Sequence, residues 1–148
     1  MALKLYHHGI RSVQELRHSG QHLLNKMQMK GLKYHDDISQ RMPRAEVAEI
    51  SQTVREAATQ LFPKLKLIIE TCGSFRRGKE SSGDVDVLIS VDSQFDSKKV
   101  IDGMLEQILQ KLKEEDFIKD RLSANRQSHH GSQTFFGICQ LQDQPGRL

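Results

Sequence analysis

Two carboxylates one residue apart head an apolar run in Gly83-Asp84-Val85-Asp86-Val87-Leu88-Ile89. Along a strand successive side chains alternate faces, so Asp84 and Asp86 point one way while Val85 and Val87 point into a core. Two anions on one face repel each other and lose hydration, and a divalent cation removes both penalties. Hard oxygen ligands on a rigid strand suit Mg²⁺, with Mn²⁺ as its substitute, bound through the carboxylates together with substrate phosphates. Upstream lies Gly73-Ser74, followed by Arg76, Arg77 and Lys79. Gly73 lets backbone approach a ligand closely, Ser74 offers a hydroxyl donor, and the N–H groups of a helix starting there would face an anion. The basic residues add positive charge to the same loop. A phosphate-cradling loop and a carboxylate pair in one loop-and-strand unit point to phosphoryl or nucleotidyl transfer assisted by two metal ions.

Regular elements must hold this unit. Strands are expected over 65–71 and 85–91, on either side of the loop. A helix precedes them: Pro43 suits a first helical position and Glu46 a first turn. Val47, Ile50, Val54, Ala57, Ala58 and Leu61 then recur at helical spacing as far as Pro63. Arg44 falls in the first turn, where a cation is unfavourable unless it meets an anion. A second amphipathic helix is expected from Val100, through Ile101, Met104, Leu105, Ile108, Leu109 and Leu112, with Asp96 or Ser97 as its N-cap. Short strands are expected over 117–122 and 134–141, the latter with Phe135 and Phe136 on opposite faces, and a turn over 142–148. Near the start, Ser12-Val13-Gln14-Glu15 is a capping box that opens a short helix ended by Gly20. A further helical piece around 22–29 is expected to close at Gly31.

The 148 residues suffice for one domain or two small subdomains. A net charge of +3 and a pI near 8.9 lean towards an anionic partner. There is no apolar run of membrane-spanning length and no N-terminal signal pattern. Cys72 and Cys139 sit in apolar, strand-like segments and read as buried free thiols of an intracellular protein, not as a disulfide framework. His18 and His22 are four apart, but Ser19-Gly20 interrupts the helix that such a pair would need. His129-His130 lies in a polar loop with no Cys or acidic partner at ligand spacing, so zinc is not expected.

The full string Cys72-Gly73-Ser74-Phe75-Arg76-Arg77-Gly78-Lys79-Glu80-Ser81-Ser82-Gly83-Asp84-Val85-Asp86-Val87-Leu88-Ile89 resembles the signature of the nucleotidyltransferase superfamily and, more specifically, that of the family X DNA polymerases of the beta and lambda type. The likeness extends to Gly31-Leu32-Lys33-Tyr34, to Arg41-Met42-Pro43-Arg44 and to Phe136-Gly137-Ile138-Cys139-Gln140-Leu141, and covers roughly residues 6–148. The architecture expected is α/β (α+β). A partial helix-hairpin-helix or fingers-like helical segment spans 1–42, and an incomplete nucleotidyltransferase palm with a small mixed sheet spans 43–148.

The resemblance implies a DNA-directed DNA polymerase that fills gaps during repair in the nucleus, with gapped or primer–template DNA and a deoxynucleoside triphosphate as partners. Asp84 and Asp86 would hold two Mg²⁺ ions. Arg44, Gly73, Ser74, Arg77 and Gly83, together with Asp84, would contact the incoming nucleotide. The primer 3′-hydroxyl would be the nucleophile, so no protein nucleophile is needed. In the resembling polymerases a lead such as Gly146-Arg147-Leu148 runs into a strand with a third metal-binding aspartate. The chain is therefore expected to be a fragment that does not extend a primer by itself; robust extension would mean that another group, Glu70 or Asp143, completes the site. Two other readings stand beside this one. A nucleotidyltransferase acting on RNA or a small molecule is disfavoured by the segments around Gly31 and Arg41. A truncated, non-catalytic nucleotide- or DNA-binding piece is favoured by the absent third carboxylate.

Overall fold

The computed structural model describes residues 2–92, 103–122, 126–127 and 132–141. The chain divides into two compact units, Met1–Asp37 and Ile38–Leu148.

The first unit is helical: α1 (Ala2–His7), α2 (Val13–Ser19), a single 3-10 turn (Gln21–Leu23), α3 (Lys26–Lys33) and the start of α4 (His35–Ile38). The expected capping box opens α2. The Ser12 hydroxyl accepts from Glu15 N at 3.1 Å, and the Glu15 carboxylate accepts from Ser12 N at 3.2 Å. The next helix differs from expectation. Asn25 and Gln28 form a second reciprocal box, which fixes the start at Lys26, and the helix runs through Gly31 to Lys33. A mid-helix glycine costs ~1 kcal/mol. Burial of Leu32 and Tyr34 just beyond it offsets that cost.

Arg17 pairs with Asp36 at 2.8 Å, and His35 Nδ1 lies 3.0 Å from the other carboxylate oxygen. The Arg17 hydrogen bond, with His35 adding to it, holds the Asp36 carboxyl down at about 2. A depressed carboxyl stabilises the fold fully above its unfolded value of about 4, and the contribution fades as pH falls towards its folded value. Amide resonances of residues 1–37 should therefore report a loss of stability between pH ~4 and ~2. Asp36→Asn should begin less stable at neutral pH and change less across that window. Identical acid profiles for the two proteins would remove the pair from the account.

The second unit begins with β1 (Met42–Pro43) and α5 (Arg44–Leu61), followed by β2 (Leu67–Thr71), α6 (Gly73–Arg76), β3 (Ser81–Ser82) and β4 (Val87–Val91). After them come α7 (Met104–Glu114), β5 (Ile118–Arg121), β6 (Arg126–Gln127), β7 (Gln133–Thr134) and β8 (Gly137–Cys139). Among the described residues the sheet takes the form of four two-stranded antiparallel ribbons, β1–β3, β2–β4, β5–β8 and β6–β7. No parallel ladder occurs among them, and strands of two residues are too short to join neighbouring ribbons into one mixed sheet.

One core joins these pieces. Ile50, Ala57 and Ala58 of α5 meet Met104, Ile108 and Leu112 of α7, and Ile69, Val91, Phe117 and Leu141 complete the cluster. Val54 packs at its margin, while Leu61 in the last turn of α5 is exposed and Phe62 takes its place against the core. Pro43 is the N-cap of α5 and not its first residue, because it is held in the β1–β3 pairing. The segment expected as one strand over 134–141 is two, β7 and β8. The Phe135 ring folds over Gly137, where a side chain would collide with it, and the ladder breaks at Phe135-Phe136.

Both cysteines are free, and both are half-buried instead of fully buried. Burial nonetheless pushes the Cys139 thiol up to about 11, with the charge of Glu46 acting in the same direction. Among the described residues no helix is long and apolar enough to cross a membrane. The expected N-cap at Asp96 or Ser97, the helix start at Val100, the pair His129-His130, Asp143 and the turn over 142–148 lie outside the described residues.

Candidate functional site

The site is built on the β2–β4 ribbon, whose register runs from Leu67 opposite Val91 to Thr71 opposite Val87. One further pair continues it, as Cys72 N donates to Asp86 O at 2.7 Å. There the partner strand ends, because the backbone turns into α6 at Gly73. That is why β4 begins at Val87, two residues after the expected start at 85. The alternation survives the loss of the ladder. Val85, Val87 and Ile89 pack against the core, whereas Asp86 and Leu88 between them are exposed, as is Asp84 at the bend that precedes them. Both carboxylates are therefore exposed, Asp86 within the alternation and Asp84 at the bend before it.

Helix α5 fixes the ribbon from behind. The hydroxyl of buried Ser51 bonds that of Thr71, and Arg55 donates to Ile69 O at 2.5 Å. At the far end Lys66 pairs with Asp92 at 2.7 Å. The end of β2, from which the loop departs, is thus held by side chains as well as by its ladder.

The loop over 73–82 is compact and largely self-bonded. Gly73 has φ +58°, in the left-handed region that favours glycine, and a Cβ on it would run into the Asp86 carboxylate. Gly78 also has positive φ, +76°, but has open space around it. Gly78 N donates to Phe75 O at 3.0 Å, and Lys79 N to Ser74 O at 3.2 Å. The Ser74 hydroxyl donates to the Ser82 hydroxyl at 2.7 Å.

The segment ahead of α5 straps the loop down. Arg41 donates to the Ser81 hydroxyl at 2.8 Å and to Ser81 O at 2.6 Å. Arg44 N donates to Glu80 O at 3.0 Å. The Arg44 guanidinium donates to Phe75 O at 2.7 Å and Lys79 O at 3.3 Å, and lies 3.8 Å above the Phe75 ring. The anion that a first-turn cation calls for is supplied, in this state, by loop carbonyls and a ring face.

The sequence-expected residues are therefore placed as follows. Gly73 and Asp86 are in van der Waals contact distance of one another, and Ser74 stands one residue further along the same turn. Asp84 and Gly83 are exposed on the segment that leads into β4. Arg77 caps α6 with its side chain exposed, beside exposed Arg76 and Lys79. Arg44 is bound to the loop itself. Sequence reasoning missed Ser51, Ser82 and the strap residue Arg41. The last was within reach, since Arg41 opens one of the quoted family segments; a serine carries no mark of burial in its neighbours.

Two exposed carboxylates with hard oxygen donors suit Mg²⁺. Among the described residues no group of three His, Cys, Asp or Glu could hold a metal ion. Glu70 pairs with Leu88 and is exposed, yet it does not complete such a group.

The Gly-Ser turn and the Asp-x-Asp segment ahead of β4 carry the resemblance to the nucleotidyltransferases, and the comparisons with known proteins agree. Residues 41–148 match the family described as the DNA polymerase beta palm, and residues 1–39 match the fingers domain of DNA polymerase lambda. The chain belongs to the family X DNA polymerases. It is 39% identical over 136 residues to DNA polymerase lambda of Rattus norvegicus, covering 92% of this chain and 22% of that protein. It is 34% identical over 142 residues to DNA polymerase lambda of Arabidopsis thaliana, covering 93% and 25%. To the DNA nucleotidylexotransferase of Xenopus laevis it is 32% identical over 98 residues, covering 66% and 19%. The chain thus spans a quarter or less of the length of these relatives.

Proposed function

We propose that this chain supplies the nucleotide- and metal-binding part of a DNA-directed DNA polymerase that fills gaps in DNA during nuclear repair. One observation carries the reading: the Asp86 carboxylate occupies the space that a side chain at Gly73 would fill. The phosphate loop and the carboxylate-bearing segment ahead of β4 therefore meet at one point, where a triphosphate and its Mg²⁺ must also meet.

The residues take the following roles. Asp84 and Asp86 would hold Mg²⁺, which when bound lowers the pKa of the primer 3′-hydroxyl and offsets phosphate charge. Ser74 and the backbone around Gly73 and Gly83 donate to phosphate oxygens. Arg77, exposed at the end of α6, closes on the triphosphate from its open side. Arg44 holds the loop in shape and contacts the triphosphate by exchanging its loop carbonyls for phosphate oxygens. The primer 3′-hydroxyl would lose its proton to water as its oxygen attacks the α-phosphorus, the bond from that phosphorus to the oxygen bridging to the β-phosphate would break, and pyrophosphate would leave. The first unit supports DNA as partner, since residues 1–37 hold six Lys or Arg against three Asp or Glu, and with them the whole net charge of +3. Relatives named for DNA favour a DNA acceptor over RNA or a small molecule. The test is binding of Mn²⁺–dATP and of labelled gapped DNA to the protein, beside its Asp86→Asn variant, because the chain by itself is not expected to extend a primer. Tighter binding of RNA than of gapped DNA, or Mn²⁺–dATP binding that Asp86→Asn leaves unchanged, would overturn the reading.

Arg77 gives a second check. A guanidinium forks onto two phosphate oxygens and an ammonium does not. Arg77→Lys should lose ~1–3 kcal/mol of deoxynucleoside triphosphate affinity, and Arg76→Lys less. Calorimetric titration of both variants that gave the reverse order would turn the loop the other way round.

A further inference from the structure

We infer that Ser82 is a positioning residue that sets the Ser74 hydroxyl to donate to phosphate. The inference rests on the reading of Ser74 as a triphosphate contact. Ser82 is 1% exposed, and it stands with Ile108 and Val47 among the most completely buried side chains. Its backbone is pinned in β3 opposite Met42, and its hydroxyl meets that of Ser74 at 2.7 Å. A polar side chain so deeply buried is costly unless its hydrogen bond is kept. The Ser74 end of the pair is half-buried and within reach of a ligand.

Each hydroxyl has one proton and two acceptor positions, so a pair sharing one hydrogen bond can be ordered in either direction. In the structure Ser74 donates to Ser82. A phosphate oxygen arriving at Ser74 claims that proton. The bond between the serines then survives only if Ser82 donates to Ser74. The buried hydroxyl can make this reversal without moving a heavy atom. It leaves Ser74 with its proton directed outwards and strengthened by the donor behind it. Ser82 also immediately precedes Gly83-Asp84, so the same hydrogen bond fixes the loop against the segment that carries the first carboxylate.

The experiment measures binding of Mn²⁺–dATP and of Mn²⁺–tripolyphosphate to the full chain and its variants, with melting curves beside them. Ser82→Ala should weaken both ligands about five- to tenfold. In a Ser74→Ala background the same change should have no further effect. Because Ser82 is closely packed, Ser82→Thr and Ser82→Val form a second pair of equal shape that differs by the hydroxyl. Thr should bind more tightly than Val by the factor that separates Ser from Ala, and this pair decides the matter if Ser82→Ala does not fold. Should Ser74→Ala bind as tightly as wild type, the phosphate-loop reading itself falls and the inference with it. Weakened binding by Ser74→Ala with additive penalties, or with Thr and Val equal, overturns the role of Ser82 alone.

Discussion

Gly73→Ala should leave the second unit folded and yet lose most of its metal-dependent nucleotide binding. Two effects act at this position. The first is backbone: a φ of +58° costs an alanine ~1–2 kcal/mol relative to glycine. The second is steric, because the new Cβ meets the Asp86 carboxylate. That carboxylate is the far end of a flexible side chain on an exposed face, so it can rotate away at small cost in stability. What rotates away is the proposed metal ligand. The melting temperature should fall by only a few degrees, while the affinity for Mn²⁺–dATP should approach that of Asp86→Asn. Gly78→Ala separates the two effects, since Gly78 has the same backbone constraint, at φ +76°, with open space around it. It should lower the melting temperature by a similar amount and leave binding close to wild type. Equal loss of binding in both variants would mean that loop strain, and not the Asp86 contact, governs the site.

The sequence reveals those parts of this site that depend on alternation and local caps. The alternation from Val85 to Ile89 was legible because core packing of Val85, Val87 and Ile89 leaves Asp86 and Leu88 exposed between them, even where the ladder has ended. The helical spacing of Val47, Ile50, Ala57 and Ala58 reported burial for the same reason. The Ser12 capping box was legible because it is closed within four residues.

The parts that were not legible depend on partners distant in the chain. Gly31 reads as a helix stop until the Asn25 box sets the register of α3 and Leu32 and Tyr34 are buried. Thr134 to Leu141 reads as one strand until the Phe135 ring lies over Gly137. Arg44 reads as a cation awaiting an anion, yet 31 residues separate it from the Phe75 carbonyl that it holds. Ser51 and Ser82 are hydroxyls in polar surroundings of sequence, and only the fold shows that each is buried against another hydroxyl.

Asp84→Asn and Asp86→Asn should each remove nearly all of the nucleotide-dependent metal binding. Mg²⁺ and Mn²⁺ ask for about six oxygen ligands, and two side chains supply only part of that set. The bare chain should therefore bind Mn²⁺ weakly, and dATP should strengthen the binding by adding phosphate oxygens. Asparagine keeps the shape of aspartate but halves its donor oxygens and removes its charge. Loss of a residue that merely supports a metal ligand costs ~10–100-fold in affinity. Loss of a ligand itself should exceed ~100-fold when dATP is present. Stability should not fall, because both carboxylates are exposed and neutralising one relieves the repulsion between them. Asp86→Asn should also remove the distinction between Gly73 and Gly78, since the Gly73→Ala change then has no metal ligand left to displace. Titration of Mn²⁺ by electron paramagnetic resonance, with and without dATP, measures all of this. Equal Mn²⁺ binding in wild type and both variants would place the ion elsewhere and leave Asp84 and Asp86 as a solvated rim of the β2–β4 ribbon.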